Sequence, residues 1–344
     1  MTKKEAKFSF VTRGKKGVKV ALDKHVPQFL DSKRIEKRSP KTLEAYAQVL
    51  EQFRKWYEAG SYSEITTEVL REYIEYLTFN KTKWDDHPTS PNGEKGLSPR
   101  TVNNVIRNMR IFFNYLVRER IITYSPMNAV SYQAEEKDTF EVFTDDDVLR
   151  LLSAPNKRVY TGRRDYCMML VLCDCGLRIK ELTNLRVYDI DFKLRQIVVR
   201  AEIAKTNTTR VVPVSQRTLK ELEKLIAYMD VGPGDYVWLT QFGERYLGDT
   251  FGKMLKLYAN RVGVSGPRVS AHTFRHYFAV KFLRGGGDPM ALARILGHTS
   301  LNMTQVYVKY TGTDLREQHD KASPVTNLID SGNEKKRGKR RFNK

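Results

Sequence analysis

The chain has 344 residues, of which 40% are hydrophobic and 29% charged, and it carries a formal net charge of +20. This length allows two domains of ordinary size. The apolar runs are too short to span a bilayer, and the start, Met1-Thr2-Lys3-Lys4, lacks the apolar segment of a secretory signal. We therefore expect a cytoplasmic protein without a membrane partner. The positive charge favours a polyanionic partner, and we expect nucleic acid because no basic segment has the bulky apolar face of a membrane-binding helix.

The first third of the chain predicts a helical domain. Residues 1–21 form a basic N-terminal arm that is too short to be a stable domain of its own. Over 22–133 the apolar residues repeat at helical spacing, which predicts about four helices. Ser39-Pro40 and Ser98-Pro99 each combine a capping serine with a proline that the first helical turn tolerates. A further helix is predicted from Thr67 to about Phe79.

The rest of the chain predicts a mixed domain. Residues 134–140 carry no apolar stripe and are predicted to be a linker, and Thr144 with the three aspartates after it indicates a helix start. Two β-branched runs, Ile197–Val199 and Arg210–Val214, flank a polar turn and predict a β-hairpin or a three-stranded sheet. We therefore expect a mainly α protein with a small antiparallel β-sheet, with a mixed α/β domain over 141–330 and a disordered basic tail over 331–344.

Two segments near the end of this region carry imidazole and guanidinium groups. His272 and Arg275 lie three residues apart, so on a helix they share a face and together can clamp a phosphate. Gly297 is typical of a helix C-terminus, which puts His298 in a tight corner between two helices. Taken alone, each segment favours a structural role.

A third segment surrounds an arginine that follows a helix break. Gly176 interrupts an apolar helix, and Arg178 is the first long basic side chain after it. Glu181 lies one turn further on, where its carboxylate can orient the guanidinium. The alternative for this segment is a solvated arginine at a helix start.

In this order, the three segments resemble the tyrosine recombinase (phage integrase) family, which includes the Xer recombinases and integrases of mobile elements. Gly176–Leu182 is similar to the family's first arginine motif, His272–His276 to its His-x-x-Arg box, and Leu296–Ser300 to its Leu-Gly-His segment. Tyr307 follows at the spacing that the family has for its nucleophile, and Lys205 resembles the family's hairpin lysine. The similarity covers roughly residues 140–315, and the region over 22–133 resembles the family's core-binding domain more loosely.

Tyrosine recombinases cut and rejoin DNA strands by transesterification. This reaction needs a nucleophile, a general acid and stabilisation of the charge that develops on the phosphate. The resemblance implies the catalytic residues Tyr307 as nucleophile, Arg178 and Arg275 on the non-bridging oxygens, Lys205 as general acid, His272 as base and His298 as hydrogen-bond donor to the phosphate. With so many cationic or donor groups in one site, we expect no metal and no other cofactor.

Three assignments within this site have competitors. Tyr310 lies one helical turn beyond Tyr307, and Lys193 lies in the same strand region as Lys205. His276, next to Arg275, is predicted to face elsewhere on the helix and to be structural.

Two basic domains joined by a linker predict a clamp around duplex DNA. The predicted DNA-contacting residues are Lys33, Arg34, Lys37, Arg38, Lys41, Arg100, Arg107, Arg110 and, in the hairpin, Arg210. The alternative for the basic helical face is simple solvation.

The resemblance implies a site-specific recombinase that acts through a covalent 3′-phosphotyrosine and a Holliday junction to integrate or excise a mobile element. Its implied partners are double-stranded DNA with an inverted-repeat core site, a homotetramer on two DNA sites in which residues 314–329 dock on a neighbouring subunit, and accessory factors. The alternatives are DNA relaxation like that of a type IB topoisomerase, and a DNA-binding regulator that has lost catalysis.

Overall fold

A computed structural model describes residues 17–60, 62–83, 93–135, 141–204, 208–266, 268–311 and residue 319. The chain divides into two compact units, Met1–Asp138 and Thr139–Lys344. Most of the predicted N-terminal arm, part of the predicted linker, the predicted docking segment except residue 319, and the predicted tail lie outside the described residues. Of the arm, Val18 is buried and forms an antiparallel bridge with Ile65.

The described part of the first unit contains four α-helices. They are α1 (Leu22–Ile35), α2 (Pro40–Ala59), α3 (Thr67–Glu75) and α4 (Pro99–Arg118). Both predicted caps are present: the Ser39 hydroxyl accepts the Thr42 N–H at 3.2 Å, and the Ser98 hydroxyl accepts the Thr101 N–H at 3.4 Å. The core is aromatic, with Phe29 packed edge-on against rings of α2 and α4.

The third predicted helix changes type before its end. The α-helix stops at Glu75 and continues as a π-helical turn, Tyr76–Asn80, that the sequence pattern did not predict. The Thr78 hydroxyl donates to the Ile74 carbonyl at 2.6 Å and so competes with the ordinary helical hydrogen bond. The wider turn also lets the Leu77 carbonyl accept the Leu97 N–H, at 2.9 Å.

The second unit contains eight further helices among the described residues and one sheet. The helices are α5 (Asp145–Ser153), α6 (Tyr160–Cys175), α7 (Ile179–Leu182), α8 (Gln216–Met229), α9 (Gly248–Val262), α10 (Ala271–Arg284), α11 (Pro289–Leu296) and α12 (Asn302–Thr311). The strands β1 (Ile190–Asp191), β2 (Gln196–Val199) and β3 (Arg210–Pro213) pair antiparallel in that order. The predicted mainly α fold with a small antiparallel sheet is thus confirmed.

The two predicted β-branched runs pair with each other as strands β2 and β3. Ile197 lies opposite Val212, and Val199 lies opposite Arg210. Ile197, Val199 and Val212 are buried against the helical core, while Val211 is half exposed on the other face. Arg210 is the first residue of the returning strand.

Helix α6 crosses the core of the second unit and ends beside the predicted catalytic segments. Gly176 caps it with a φ of +59°, which a residue with a side chain adopts only with strain. A Cβ at this position would also lie 2.4 Å from Phe278 of α10 and 2.8 Å from Leu296 of α11. The glycine therefore lets α6, α10 and α11 meet where the predicted catalytic segments lie.

Candidate active site

Arg178 is held by the buried carboxylate that follows it. The Glu181 carboxylate accepts both the Arg178 backbone N–H and its guanidinium, each at 2.9 Å. Burial by itself would raise the pKa of Glu181, but the hydrogen bonds and charges of Arg210 and Arg178 outweigh it and lower the pKa below its usual range. Glu181 is therefore ionised at neutral pH and orients Arg178, as its spacing suggested.

Arg275 lies near the start of α10 and is 2% exposed. Its guanidinium donates to the Gly176 carbonyl at 2.8 Å and to the Leu296 carbonyl at 2.7 Å. Burial and the neighbouring charge of Arg178 lower the pKa of Arg275 to about 10, so the group stays cationic at neutral pH.

Arg210 does not have the position expected of a DNA-contacting residue. Its side chain is 9% exposed, and its two terminal nitrogens donate to the Glu181 carboxylate at 3.0 Å and 2.7 Å. Its Nε donates to the Ile295 carbonyl at 2.8 Å. The sequence prediction placed Arg210 on the DNA, but in the structure its N–H groups donate to Glu181 and Ile295 inside the unit.

The three arginines meet at one helix end. Arg210, Arg275 and Arg178 donate to the successive carbonyls of Ile295, Leu296 and Gly297, the last at 3.3 Å. These carbonyls have no partners within α11, and the C-terminus of a helix favours positive charge. The end of α11 is therefore fixed against the arginines immediately before His298.

His298 lies in the corner that its sequence predicted. Gly297 ends α11 with a φ of +62°, and the His298 N–H returns to the Ala293 carbonyl at 3.0 Å. The Nδ1 atom of His298 lies 2.8 Å from the hydroxyl of the buried Thr304, and the ring stacks on Tyr307 with 6.2 Å between centroids. Burial and the charges of Arg275 and other arginines lower the pKa of His298 to about 4.

Tyr307 is on α12 and faces the same site. It is 4% exposed, and its hydroxyl lies 2.8 Å from Nδ1 of His276. Burial raises the pKa of Tyr307, although the charges of Arg275 and Arg178 act in the opposite direction. The structure thus brings Tyr307 together with Arg178, Arg275 and His298.

The prediction that His276 faces away from the site is wrong. His276 is half-buried between Tyr307 and His272, with ring centroids 5.5 Å and 4.3 Å away. His272 is exposed. The missed signal is the spacing, because residues four apart on a helix share a face as closely as residues three apart. His276 therefore lies beside His272 on α10.

Other predicted positions are described only in part. Residues 205–207, which include Lys205, lie outside the described residues, and the side chain of Tyr310 is not described either. Lys193 is exposed in the turn between β1 and β2. Within the described ranges, no cluster of three or more histidine, cysteine or acidic side chains is placed to hold a metal ion.

The predicted DNA-contacting residues of the first unit fall into two groups. Lys33 is 6% exposed, pairs with Glu36 at 2.5 Å and lies over the Phe29 ring, so its expected phosphate contact is not supported. Arg110 also makes contacts within the protein: its guanidinium donates to the Val130 carbonyl at 2.6 Å and stacks on Tyr132. The exposed members are Arg34, Lys37, Arg38, Lys41, Arg100 and Arg107.

Two family models match the chain over most of its length. The phage integrase family matches residues 141–313, and the phage integrase N-terminal SAM-like domain matches residues 26–123. The chain belongs to the phage integrase family. It is a site-specific tyrosine recombinase, which confirms the resemblance seen in the sequence.

The recombinase is similar to curated proteins along most of its length. It is 30% identical to tyrosine recombinase XerD of Pseudomonas putida over 305 residues, which cover 87% of this chain and 97% of the relative. It is also 30% identical to tyrosine recombinase XerC of Thermodesulfovibrio yellowstonii, over 67% of this chain and 78% of the relative.

Solved structures share the fold at lower identity. The Tn1549 transposon integrase, in complex with transposon right end DNA, superimposes with a TM-score of 0.65 at 17% identity, covering 88% of this chain and 99% of that one. A lambda integrase dimer bound to a COC′ core site also gives a TM-score of 0.65 at 17% identity, covering 86% and 79%. No helix among the described residues is long and apolar enough to span a membrane.

Proposed function

We propose that the recombinase cuts and rejoins DNA by transesterification through Tyr307, without a metal, forming a covalent 3′-phosphotyrosine and proceeding through a Holliday junction. The observation that carries this proposal is the meeting of Tyr307, Arg178, Arg275 and His298 in one buried site of the second unit. Family membership adds support, because the matched residues 141–313 include all four.

Arg178 and Arg275 are the proposed ligands of the non-bridging phosphate oxygens. A guanidinium has five N–H donors, and the hydrogen bonds described for each of these side chains use only part of that set. Anchoring both groups to carbonyls and to Glu181 holds them rigidly, so they need little reorganisation as negative charge develops. Their fixed positive charge performs the role that a metal ion has in other phosphoryl transfers.

The remaining catalytic roles follow the resemblance. His298 is the proposed hydrogen-bond donor to the phosphate, and His272 is proposed to help accept the tyrosine proton. Lys205 is the proposed general acid. Support for it comes from Arg210, five positions later in the sequence, which fastens the start of β3 to Glu181. Lys193, in the turn between β1 and β2, is the competing candidate.

The proposed substrate is double-stranded DNA with an inverted-repeat core site, gripped by a clamp of the two units as a homotetramer on two sites. The exposed basic side chains of the first unit support DNA binding. We further propose that residues 314–329 dock on a neighbouring subunit and that accessory factors take part. We also propose that the protein acts in the cytoplasm and that it integrates or excises a mobile element. The name of the transposon integrase that shares the fold supports the last of these.

Covalent trapping tests the proposal. Duplexes that bind the Tyr307→Phe protein are first selected from a random library, and are then rebuilt with a nick beside the cleaved position so that the short product diffuses away. We expect wild-type protein to form a covalent adduct in buffer containing EDTA, with the bond mapped to residue 307, and Tyr307→Phe to form none.

Other results would overturn parts of the proposal. Selected binding without any wild-type adduct would indicate a regulator that has lost catalysis. Adduct formation followed only by relaxation of supercoiled plasmids, without recombinant products, would indicate a topoisomerase. An adduct mapped to Tyr310 would transfer the role of nucleophile to that residue.

A further inference from the structure

The hydroxyl that is proposed to attack DNA contacts a histidine that no catalytic role has yet explained. Nδ1 of His276 lies 2.8 Å from Oη of Tyr307, within hydrogen-bond distance. The contact joins α10 to α12, so it is not a by-product of local chain geometry. The same stretch of α10 carries Arg275, which is the proposed phosphate ligand.

The surroundings of His276 keep its ring neutral. Burial, the neighbouring His272 and the charge of Arg275 together lower the pKa of His276 to about 4. The titratable and charged groups that face it are His272 and Arg275 on its own helix, Tyr307 on α12 and His298 after α11. A neutral imidazole has one acceptor nitrogen, and Nδ1 of His276 is the acceptor that faces the phenol when Nε2 carries the ring hydrogen.

The other histidine at the phenol is oriented differently. Nδ1 of His298 is occupied by the Thr304 hydroxyl at 2.8 Å, and its ring lies nearly parallel to the Tyr307 ring, with 11° between the planes. His272 is exposed and lies against His276 with 4.3 Å between centroids. His272 is therefore the solvent-exposed neighbour of His276.

We propose that His276 is a catalytic residue that accepts the proton of Tyr307 when the phenol attacks the DNA phosphate, an inference that rests on the proposed function. The O–H bond of Tyr307 breaks and its proton moves to Nδ1 of His276, while the Tyr307 oxygen forms a bond to phosphorus. The bond from phosphorus to the 5′-oxygen breaks, and that oxygen takes a proton from the separate general acid. During religation the proton returns from His276 to the Tyr307 oxygen.

The incoming phosphate favours this transfer. Its negative charge binds between Arg178 and Arg275 and offsets the positive field at His276. Protonating His276 therefore costs less free energy with DNA bound, since an opposite charge nearby stabilises the charged form of a histidine. The same charge is absent when no phosphate is bound, which leaves the acceptor nitrogen unprotonated and ready.

The variant His276→Asn separates proton transfer from simple positioning. An asparagine amide lies where Nδ1 lies, so its oxygen can accept the Tyr307 hydrogen bond, but it cannot take up the proton. We expect single-turnover cleavage of the selected nicked duplex to fall about 100-fold, the contribution typical of a general base. Affinity for the duplex and the melting temperature should stay close to wild type. The matched control, His25→Asn at a half-buried position of α1 in the first unit, should cleave at the wild-type rate.

A sulfur leaving group assigns the direction of proton transfer. In a duplex with a bridging 5′-phosphorothiolate the leaving thiolate needs no general acid, so the defect of His276→Asn should persist on this substrate. Restoration by sulfur would make His276 an acid and would overturn the inference. Cleavage by His276→Asn within about threefold of wild type, well below the general-base range, would reduce His276 to a positioning role.

Three further outcomes are distinguishable. If His276→Asn does not fold, His276→Phe keeps a ring in the pocket and must show the same loss on both substrates, whereas near-wild-type cleavage by it overturns the inference. If wild-type protein forms no adduct on any selected duplex, the proposed function itself fails. If wild type reacts and the His276 variants react equally well, only the role of His276 fails.

Discussion

Replacing Arg210 by methionine tests whether this side chain holds the active site together or contacts DNA. The change keeps the aliphatic part of the side chain and removes its charge. It leaves the Glu181 carboxylate, whose side chain is 1% exposed, with Arg178 as its remaining arginine partner. Breaking a buried ion pair on one side costs about 3–5 kcal/mol. Because Arg178 still compensates part of the charge, we expect the lower end, about 3 kcal/mol.

The lost hydrogen bond to the Ile295 carbonyl adds to this cost. One buried acceptor without its donor contributes about 1 kcal/mol. The sum is a loss of about 4 kcal/mol in the free energy of unfolding at pH 7, a large share of the stability of an ordinary domain. Cleavage should fall as well, since the end of α11 and Arg178 are both anchored by the same network.

The loss should depend on pH with a definite sign. Glu181 has a lowered pKa in the folded protein, so its ion pairs stabilise the fold above the unfolded value of about 4.5 and lose that effect as pH falls through the folded pKa. In Arg210→Met the carboxylate is easier to protonate, which relieves the unpaired charge. The difference between wild type and variant should therefore be largest at neutral pH and shrink below about pH 4.5.

Urea unfolding of wild type, Arg210→Met, Glu181→Gln and the double variant measures this coupling. We expect the double variant to be more stable than the sum of the single losses predicts, because each single change leaves a buried charge behind. The reasoning is refuted if Arg210→Met costs less than about 1 kcal/mol, below any buried pair. A reduced salt dependence of DNA binding at unchanged stability would instead restore Arg210 as a phosphate contact.

Three further predictions follow from individual contacts. Gly176→Ala should lower the free energy of unfolding by about 3 kcal/mol, from left-handed strain and overpacking against Phe278, and a loss under 1 kcal/mol in urea unfolding would contradict it. Thr144→Ala should cost about 1 kcal/mol in the same assay because the capping box of α5 is lost, and Thr144→Ser should restore it. Lys41→Ala should reduce the slope of log affinity for DNA against log salt by about 1, while Lys33→Ala should destabilise the protein and leave the slope unchanged, and the reverse pattern would exchange their roles.

Local sequence rules predicted the elements that local forces determine. Ser39 and Ser98 cap the helices that they precede, and Gly297 ends α11 in the left-handed conformation, because such interactions involve residues three or four apart. The two strands of the hairpin were predicted from the β-branched runs. The end of α3 was predicted less well, since a hydroxyl within the helix and partners far along the chain select the π-helical turn.

The predicted active-site and DNA-contacting residues likewise include some that the sequence identified and others that it misjudged. Order and spacing along the chain identified Arg178, Arg275, His298 and Tyr307, and the structure gathers them, although their catalytic roles stay proposals. Lys33 was misjudged because a count of basic residues does not show that a neighbouring glutamate and an aromatic ring bury its ammonium group.

The sequence by itself determined the family, the helical and hairpin segments and the candidate nucleophile, because these depend on residue type and on separation along the chain. Tertiary structure alone decided what Arg210 and His276 face. Arg210 lies beside Glu181 and α11, and His276 lies beside Tyr307, through contacts between residues that are far apart in sequence. The physical reason is burial: once a helix end and a carboxylate are removed from water, the nearest donors must satisfy them, and only the packing of α6, α10, α11 and β3 determines which donors those are.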